Sequence, residues 1–92
     1  MKTLKSMITN AVGLHARPAA VFVSKMGKYE SDIQIRNLTG GSDWVNAKSI
    51  LGVLTLAVEK NHEIEISIEG ADEDAAEAEI TDFLENELPK QD

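Results

Sequence analysis

Glu63-Ile64-Glu65-Ile66-Ser67-Ile68-Glu69 places an isoleucine at every second position between charged or polar residues. Successive side chains of a strand point to opposite faces, so this heptapeptide has one apolar face and one wet face. A sheet built on such a strand buries one side only, and helices must cover that side. Working outward, Ile33 and Ile35 repeat the alternation between Asp32, Gln34 and Arg36. The stretch 37–43 (Asn-Leu-Thr-Gly-Gly-Ser-Asp) is dense in turn residues before Trp44-Val45 resumes an apolar edge, which predicts two strands joined by a loose hairpin. Residues 2–9 alternate imperfectly around Leu4, Met7 and Ile8 and supply a fourth strand.

Three segments carry helical spacing. Ala19, Ala20, Phe22, Val23 and Met26 recur at three- and four-residue intervals, predicting a helix from His15 or Ala16 to Met26 with Gly27 as its stop. Ile50, Leu51, Val53, Leu54 and Leu56 predict a short helix capped by Ser49, its end left open between turn and strand at residues 56–58. In the turn that follows, Asn61 can take the left-handed conformation. After Gly70, the acids Asp72, Glu73 and Asp74 favour a helix start, and Ala76, Ile80, Phe83, Leu84 and Leu88 continue to Pro89. The order β-α-β-β-α-β-α describes an α+β open-faced β-sandwich: a four-stranded antiparallel sheet with three helices on one face. No repeat, linker or low-complexity run interrupts it, so a single domain over 1–92 is expected.

Composition narrows the chemistry. With no cysteine there is neither a disulfide framework nor a zinc-thiolate site. No apolar block has signal-peptide length, and none approaches the ~20 residues of a membrane span, so a soluble cytoplasmic protein without membrane insertion is expected. The net charge is −7, with acids concentrated after residue 59, which argues against nucleic acid as a partner. Up to residue 36 the chain carries Lys2, Lys5, Arg17, Lys25, Lys28 and Arg36 against Glu30 and Asp32, predicting a locally basic surface near His15 for acidic partner proteins.

Gly13-Leu14-His15-Ala16-Arg17-Pro18-Ala19-Ala20 carries the chemistry. Gly13 can take backbone angles closed to other residues, and Pro18 is tolerated in the first helical turn. The backbone N–H groups of Ala16 and Arg17 then have no intrahelical acceptor, the helix dipole favours negative charge there, and the Arg17 guanidinium adds a forked cation. A phosphoryl group on His15 would be well received, with Nδ1, the ring nitrogen nearest the backbone, as nucleophile and acceptor. A lone histidine near a helix start is usually a cap or a surface residue; the whole eight-residue run distinguishes this one. Elsewhere, His62 lies in a turn without a second ligand nearby and is expected to be exposed, and Trp44 is expected to pack at a sheet edge; neither suggests a metal or nucleic-acid site.

The run 13–20, together with Val45-Asn46-Ala47-Lys48-Ser49-Ile50-Leu51-Gly52-Val53-Leu54, resembles the HPr family, the histidine-containing phosphocarriers of the bacterial phosphoenolpyruvate-dependent sugar phosphotransferase system. Length, element order and the Gly70-Ala71-Asp72 approach to the last helix fit as well, so the resemblance covers nearly the whole chain. It implies a carrier rather than a turnover enzyme, without cofactor or metal. Phosphorylated enzyme I would place a phosphoryl group on His15 Nδ1, and His15 would pass it to an enzyme IIA. Arg17 matches the family's active-site arginine. Ser49 matches the serine modified in some relatives by an HPr kinase/phosphorylase, whose phosphorylated form slows acceptance at the histidine and joins a catabolite-control transcription factor. Ala20, Ile50, Leu51 and Leu54 match the exposed apolar patch that receives partners. A carrier offers one face to successive partners, so a monomer is expected.

The sequence also departs from the family. The 37–43 hairpin is roughly three residues longer than usual, as surface loops tolerate. Ala57 stands where glycine is common, and Asn61 replaces a frequent glycine. Three alternatives remain at this level: a regulatory module acting mainly through phosphorylated Ser49, a carrier for a non-sugar branch, and a small acylphosphatase-like hydrolase in which His15 would be dispensable.

Overall fold

The computed structural model describes residues 1–9, 13, 14 and 16–90. Strands β1 (Lys2–Met7), β2 (Asp32–Asn37), β3 (Val45–Asn46) and β4 (Glu63–Glu69) form one antiparallel sheet in the order β1-β4-β2-β3. The strand with the cleanest alternation is interior, because β4 pairs along its length with β1 on one side and β2 on the other. Register aligns the apolar rows: Ile33 lies opposite Ile68, Ile35 opposite Ile66, and Leu4 opposite Ile66 from the other edge. Strand β3 is brief, pairing only Val45 with Ile35 and Asn46 with Gln34.

Helices α1 (Ala16–Met26), α2 (Ile50–Thr55) and α3 (Glu73–Asp82) accompany the sheet. The last continues through a wide π turn at Phe83–Glu87 and a 3-10 turn at Leu88–Lys90 that contains Pro89, so the helical run ends about where the proline predicts. Gly27 closes α1 by donating its N–H to the Val23 carbonyl (3.0 Å), without the left-handed φ that a helix-ending glycine often supplies. The core lies between the isoleucine face and the helices: Phe22 and Met26 of α1, Val53 of α2, Ile80 and Phe83 beyond it are fully buried. Phe22 and Phe83 meet with ring centroids 5.6 Å apart in a tilted arrangement, a favoured aromatic geometry.

On the opposite face of the sheet the wet row forms its own contacts. Arg36 donates to Glu65 (Nε to Oε1, 2.7 Å), the residue opposite it in register, and stacks over the Trp44 ring at 4.6 Å. Trp44 therefore packs at the sheet edge as expected, by covering a guanidinium.

The basic surface expected near the start of α1 narrows to Arg17, because Lys25 and Lys28 lie at the other end of α1, where the acidic third helix meets them. Lys25 and Lys28 both pair with Glu79 (3.4 and 2.9 Å), Lys25 also with Glu87 (3.2 Å), and Lys2 pairs with Asp74 (3.1 Å). The Tyr29 hydroxyl donates to Glu79; that bond, with burial and the carboxylate charge, pushes the phenol up to about 12. The same phenol bond and Lys28 hold Glu79 below the usual carboxylate range. Before α3, Asp72 accepts from the Ser31 hydroxyl and from the backbone N–H groups of Glu30 (2.8 Å) and Ser31 (2.9 Å).

Candidate functional site

The approach to α1 is pinned from one side. The N–H of Leu14, which is buried, donates to the Val58 carbonyl at 3.0 Å. Gly13 has φ +60, and a Cβ there would stand 2.2 Å from that same carbonyl oxygen. Glycine is thus required by both the dihedral and the close approach of two backbones. The chain then enters α1 at Ala16, with Ala16 and Arg17 exposed and Pro18 and Ala19 buried. His15, the expected phosphoryl acceptor, lies outside the described residues. Arg17 makes no ion pair among the described residues, so its charge is uncommitted at the positive end of an eleven-residue helix.

Helix α2 packs against α1. Ser49 caps it as predicted: its backbone is extended (φ −109, ψ 117), and its Oγ accepts the Gly52 N–H at 3.2 Å. The apolar residues of α2 divide by face. Val53 is buried, Leu54 is half-buried against the core, Ile50 is 37% exposed and Leu51 74% exposed. With exposed Ala20 on the neighbouring helix, two of the three expected α2 patch residues stand open to solvent, and Leu54 is their partly buried base.

The segment after α2 settles what the apolar pattern left open. Leu56 closes the helix, and Ala57 turns the chain with φ 51, a left-handed angle that disfavours alanine and explains the glycine common at this point in the resembled family. Asn61 has φ 73, the conformation expected of it.

His62 differs from expectation. It is half-buried, and its Nδ1 lies 3.0 Å from Asn37 Nδ2 and 3.2 Å from the Glu59 N–H. A turn histidine gives little sign of this in sequence, because its partners are a side chain from the end of β2 and the backbone N–H of Glu59. The only cue was Asn37, a carboxamide at an inward-facing strand position that needs buried partners. Among the described residues no cluster of His, Cys, Asp or Glu could hold a metal ion, and no helix is long and apolar enough to cross a membrane.

A family model described as the PTS HPr component phosphorylation site matches residues 2–86. The multiphosphoryl transfer protein of Vibrio cholerae serotype O1 is 46% identical over 69 residues, covering 75% of this chain and 17% of that protein, so the chain spans only a small part of its relative. Among solved structures, HPr-C-His from Thermoanaerobacter tengcongensis superposes with a TM-score of 0.87 at 39% identity, covering 96% of both chains. The HPr dimer from the same organism gives 0.72 at 39% identity, over 96% of this chain and 98% of that one.

Proposed function

The chain belongs to the PTS HPr family, phosphocarriers of the phosphotransferase system, and from that premise we propose that it relays a phosphoryl group through His15 during sugar uptake. The observation that carries the reading is the start of α1: exposed Arg17, uncommitted among the described residues, one turn from an approach pinned to Val58. Nδ1 of neutral His15 attacks the phosphorus carried by phosphorylated enzyme I. The new N–P bond forms as the bond to enzyme I breaks, and the reverse exchange delivers the group to an enzyme IIA histidine. Arg17 and the N–H groups of Ala16 and Arg17 hold the charge without positioning a water, as a carrier needs. Exposed Ile50 and Leu51, with Leu54 beneath and Ala20 beside them, give partners an apolar footing.

Regulation at Ser49 belongs to the same proposal, with an HPr kinase/phosphorylase as modifying enzyme and a catabolite-control transcription factor as reader. A phosphate on the capping oxygen would lie at a helix start, where negative charge is tolerated, and beside Ile50 and Leu51, where it would oppose docking. A monomeric, cytoplasmic carrier completes the reading, with light scattering as the check on oligomeric state, since dimers are among the similar structures. The decisive experiment is incubation with phosphoenolpyruvate, Mg²⁺ and catalytic enzyme I, read by intact mass and acid lability, beside His15→Ala. One acid-labile phosphoryl group that needs His15 supports the carrier; no transfer from active cognate enzyme I would favour a module acting through Ser49 alone, and steady phosphate release from an acyl phosphate a hydrolase.

A further inference from the structure

Beneath the turn that holds Leu14, Asn37 and His62 form a closed hydrogen-bond node. Asn37 ends β2 and is 1% exposed. Its amide orientation is fixed from two sides. Oδ1 accepts the Gly40 N–H at 3.0 Å, which only an oxygen can do, and Nδ2 donates to the Leu56 carbonyl at 3.1 Å, which only a nitrogen can do. The second amide hydrogen is then directed to His62 Nδ1 at 3.0 Å, and the Glu59 N–H reaches the same atom at 3.2 Å. Two obligate donors converge on one ring nitrogen. Nδ1 must therefore be an unprotonated acceptor, with the ring proton on Nε2.

The node joins three parts of the chain: the hairpin through Asn37, the end of α2 through the Leu56 carbonyl, and the turn 59–62 through His62. Between the last two lie Ala57, in its left-handed conformation, and Val58, whose carbonyl receives Leu14. Further backbone bonds, Ile8 N–H to His62 O (2.8 Å) and Asn61 N–H to Ile8 O (2.6 Å), fix the turn to the chain leaving β1. The support beneath the start of α1 is thus held at both ends by Asn37 and His62.

We propose that His62 is a positioning residue for phosphoryl acceptance: its neutral, Nε2-protonated ring holds Ala57 and Val58 against Gly13 and Leu14, and acid loosens that hold by placing a proton on Nδ1 against two fixed donors. The proposal rests on the carrier reading above. Protonation would turn an acceptor facing two N–H groups into a third donor and strand buried Asn37 hydrogen-bonding capacity. The ionisable groups around the ring do not supply a substitute acceptor at Nδ1. On its own turn and at the start of β4, Glu59, Lys60 and Glu63 are exposed, and among the described residues none of their side chains bonds the ring. From the hairpin side come Asn37 and Thr39, which do not titrate, and Asp43, which is exposed. Ile8 and Leu14, whose backbones bond the turn and Val58 from the remaining side, carry no ionisable side chain.

The test compares the native chain with His62→Asn, whose carboxamide oxygen can stand in for Nδ1 but takes up no proton, and with His62→Ala. Nitrogen-15 NMR of the imidazoles at neutral pH should find His62 with its proton on Nε2; an Nδ1–H ring overturns the proposal. Initial rates of acceptance from phosphorylated enzyme I are then measured at neutral pH and at the lower pH at which the same NMR signals show a proton arriving on Nδ1 of His62. The ratio of native to His62→Asn rates cancels the pH dependence of His15 and of enzyme I. That ratio should fall about fivefold on acidification, the worth of one lost hydrogen bond, and His62→Ala, where it folds, should lose about fivefold at neutral pH. A pH-independent ratio overturns the proposal. In a His15→Ala background, which carries no phosphoryl group, the Leu14 amide shift should still follow protonation of His62. Absence of that coupling refutes this inference, whereas failure of the native chain to accept phosphate with the coupling intact refutes only the carrier reading.

Discussion

Replacing Gly13 by alanine separates the geometry of the α1 approach from the stability of the fold. A Cβ at this position meets Val58 O at 2.2 Å, Glu59 Cα at 2.8 Å and Val58 C at 2.9 Å, all backbone atoms that cannot rotate away. The left-handed φ of +60 costs alanine about 1 kcal/mol, and overpacking against backbone adds about 1–3 kcal/mol. Reduced freedom of the unfolded chain returns about 0.5 kcal/mol, leaving a net loss of about 1.5–3.5 kcal/mol. For a chain of this size that lowers the thermal midpoint by roughly 6–28 °C. Gly70→Ala is the matched control: its φ is +154 and its Cβ would stand 2.6 Å from Ser31 Cα and from Ser31 Oγ, at the far end of β4 from His62. Both variants should be destabilised in calorimetry. At a temperature where both remain folded, only Gly13→Ala should slow phosphoryl acceptance, because only there must Leu14 separate from Val58. An unchanged midpoint for Gly13→Ala would mean that the close approach relaxes freely; equal acceptance in the two variants would mean that the Leu14–Val58 junction does not position the acceptor.

The opposite exchange at the other side of that junction should stabilise. Ala57→Gly relieves about 1 kcal/mol of left-handed strain and loses about 0.5 kcal/mol to unfolded-chain entropy, raising the thermal midpoint by a few degrees; a lowered midpoint would count against strain at Ala57. Ser49→Ala removes the acceptor for the Gly52 N–H and should cost about 1 kcal/mol in urea unfolding, with an unchanged midpoint ruling out a capping role. Asp72 is held below its ordinary value of 3.8, first by the Ser31 hydroxyl and then by the Glu30 N–H. A carboxyl depressed in the fold stabilises it above the ordinary value, and that contribution is lost as pH falls through the lower folded value. Asp72→Asn should therefore lower stability at neutral pH and flatten its decline on the acid side of 3.8, and parallel pH profiles for native and variant would contradict this.

The parts of the molecule legible in sequence are those written locally. Ile64, Ile66 and Ile68 declare a one-sided strand because burial on a pleated sheet has a period of two, and Phe22 and Met26 declare the inner face of α1 by the helical period. Ser49 is readable as a cap because its side chain serves an N–H three residues on. What stayed hidden depends on contacts distant in sequence. Lys25 near the end of α1 and Lys28 just past it look like a free basic surface until Glu79 and Glu87 arrive from the last helical run, more than fifty residues later. His62 looks exposed until Asn37 meets it across 25 positions. The left-handed Ala57 breaks a local preference, and that is why the end of α2 could not be placed between turn and strand.

The distribution of charge bears on how a chain of net charge −7 would receive the phosphoryl group proposed for His15. Arg17 and Lys25 are eight residues apart on one helix, a separation of about 12 Å at 1.5 Å per residue. At the Lys25 end, α3 brings its carboxylates into direct ion pairs, so most of the acid and base there cancel in place. At the other end Arg17, the positive end of the helix and exposed aliphatics from α2 remain. At physiological salt the screening length is about 8 Å, so the acids of α3 are weakly felt at the start of α1. In the proposed relay an incoming phosphohistidine would respond to the local guanidinium and the helix dipole rather than to the net charge. Packing the acidic helix on the far end of α1 thus stabilises the fold and leaves the near end electropositive, and both effects follow from one placement of α3.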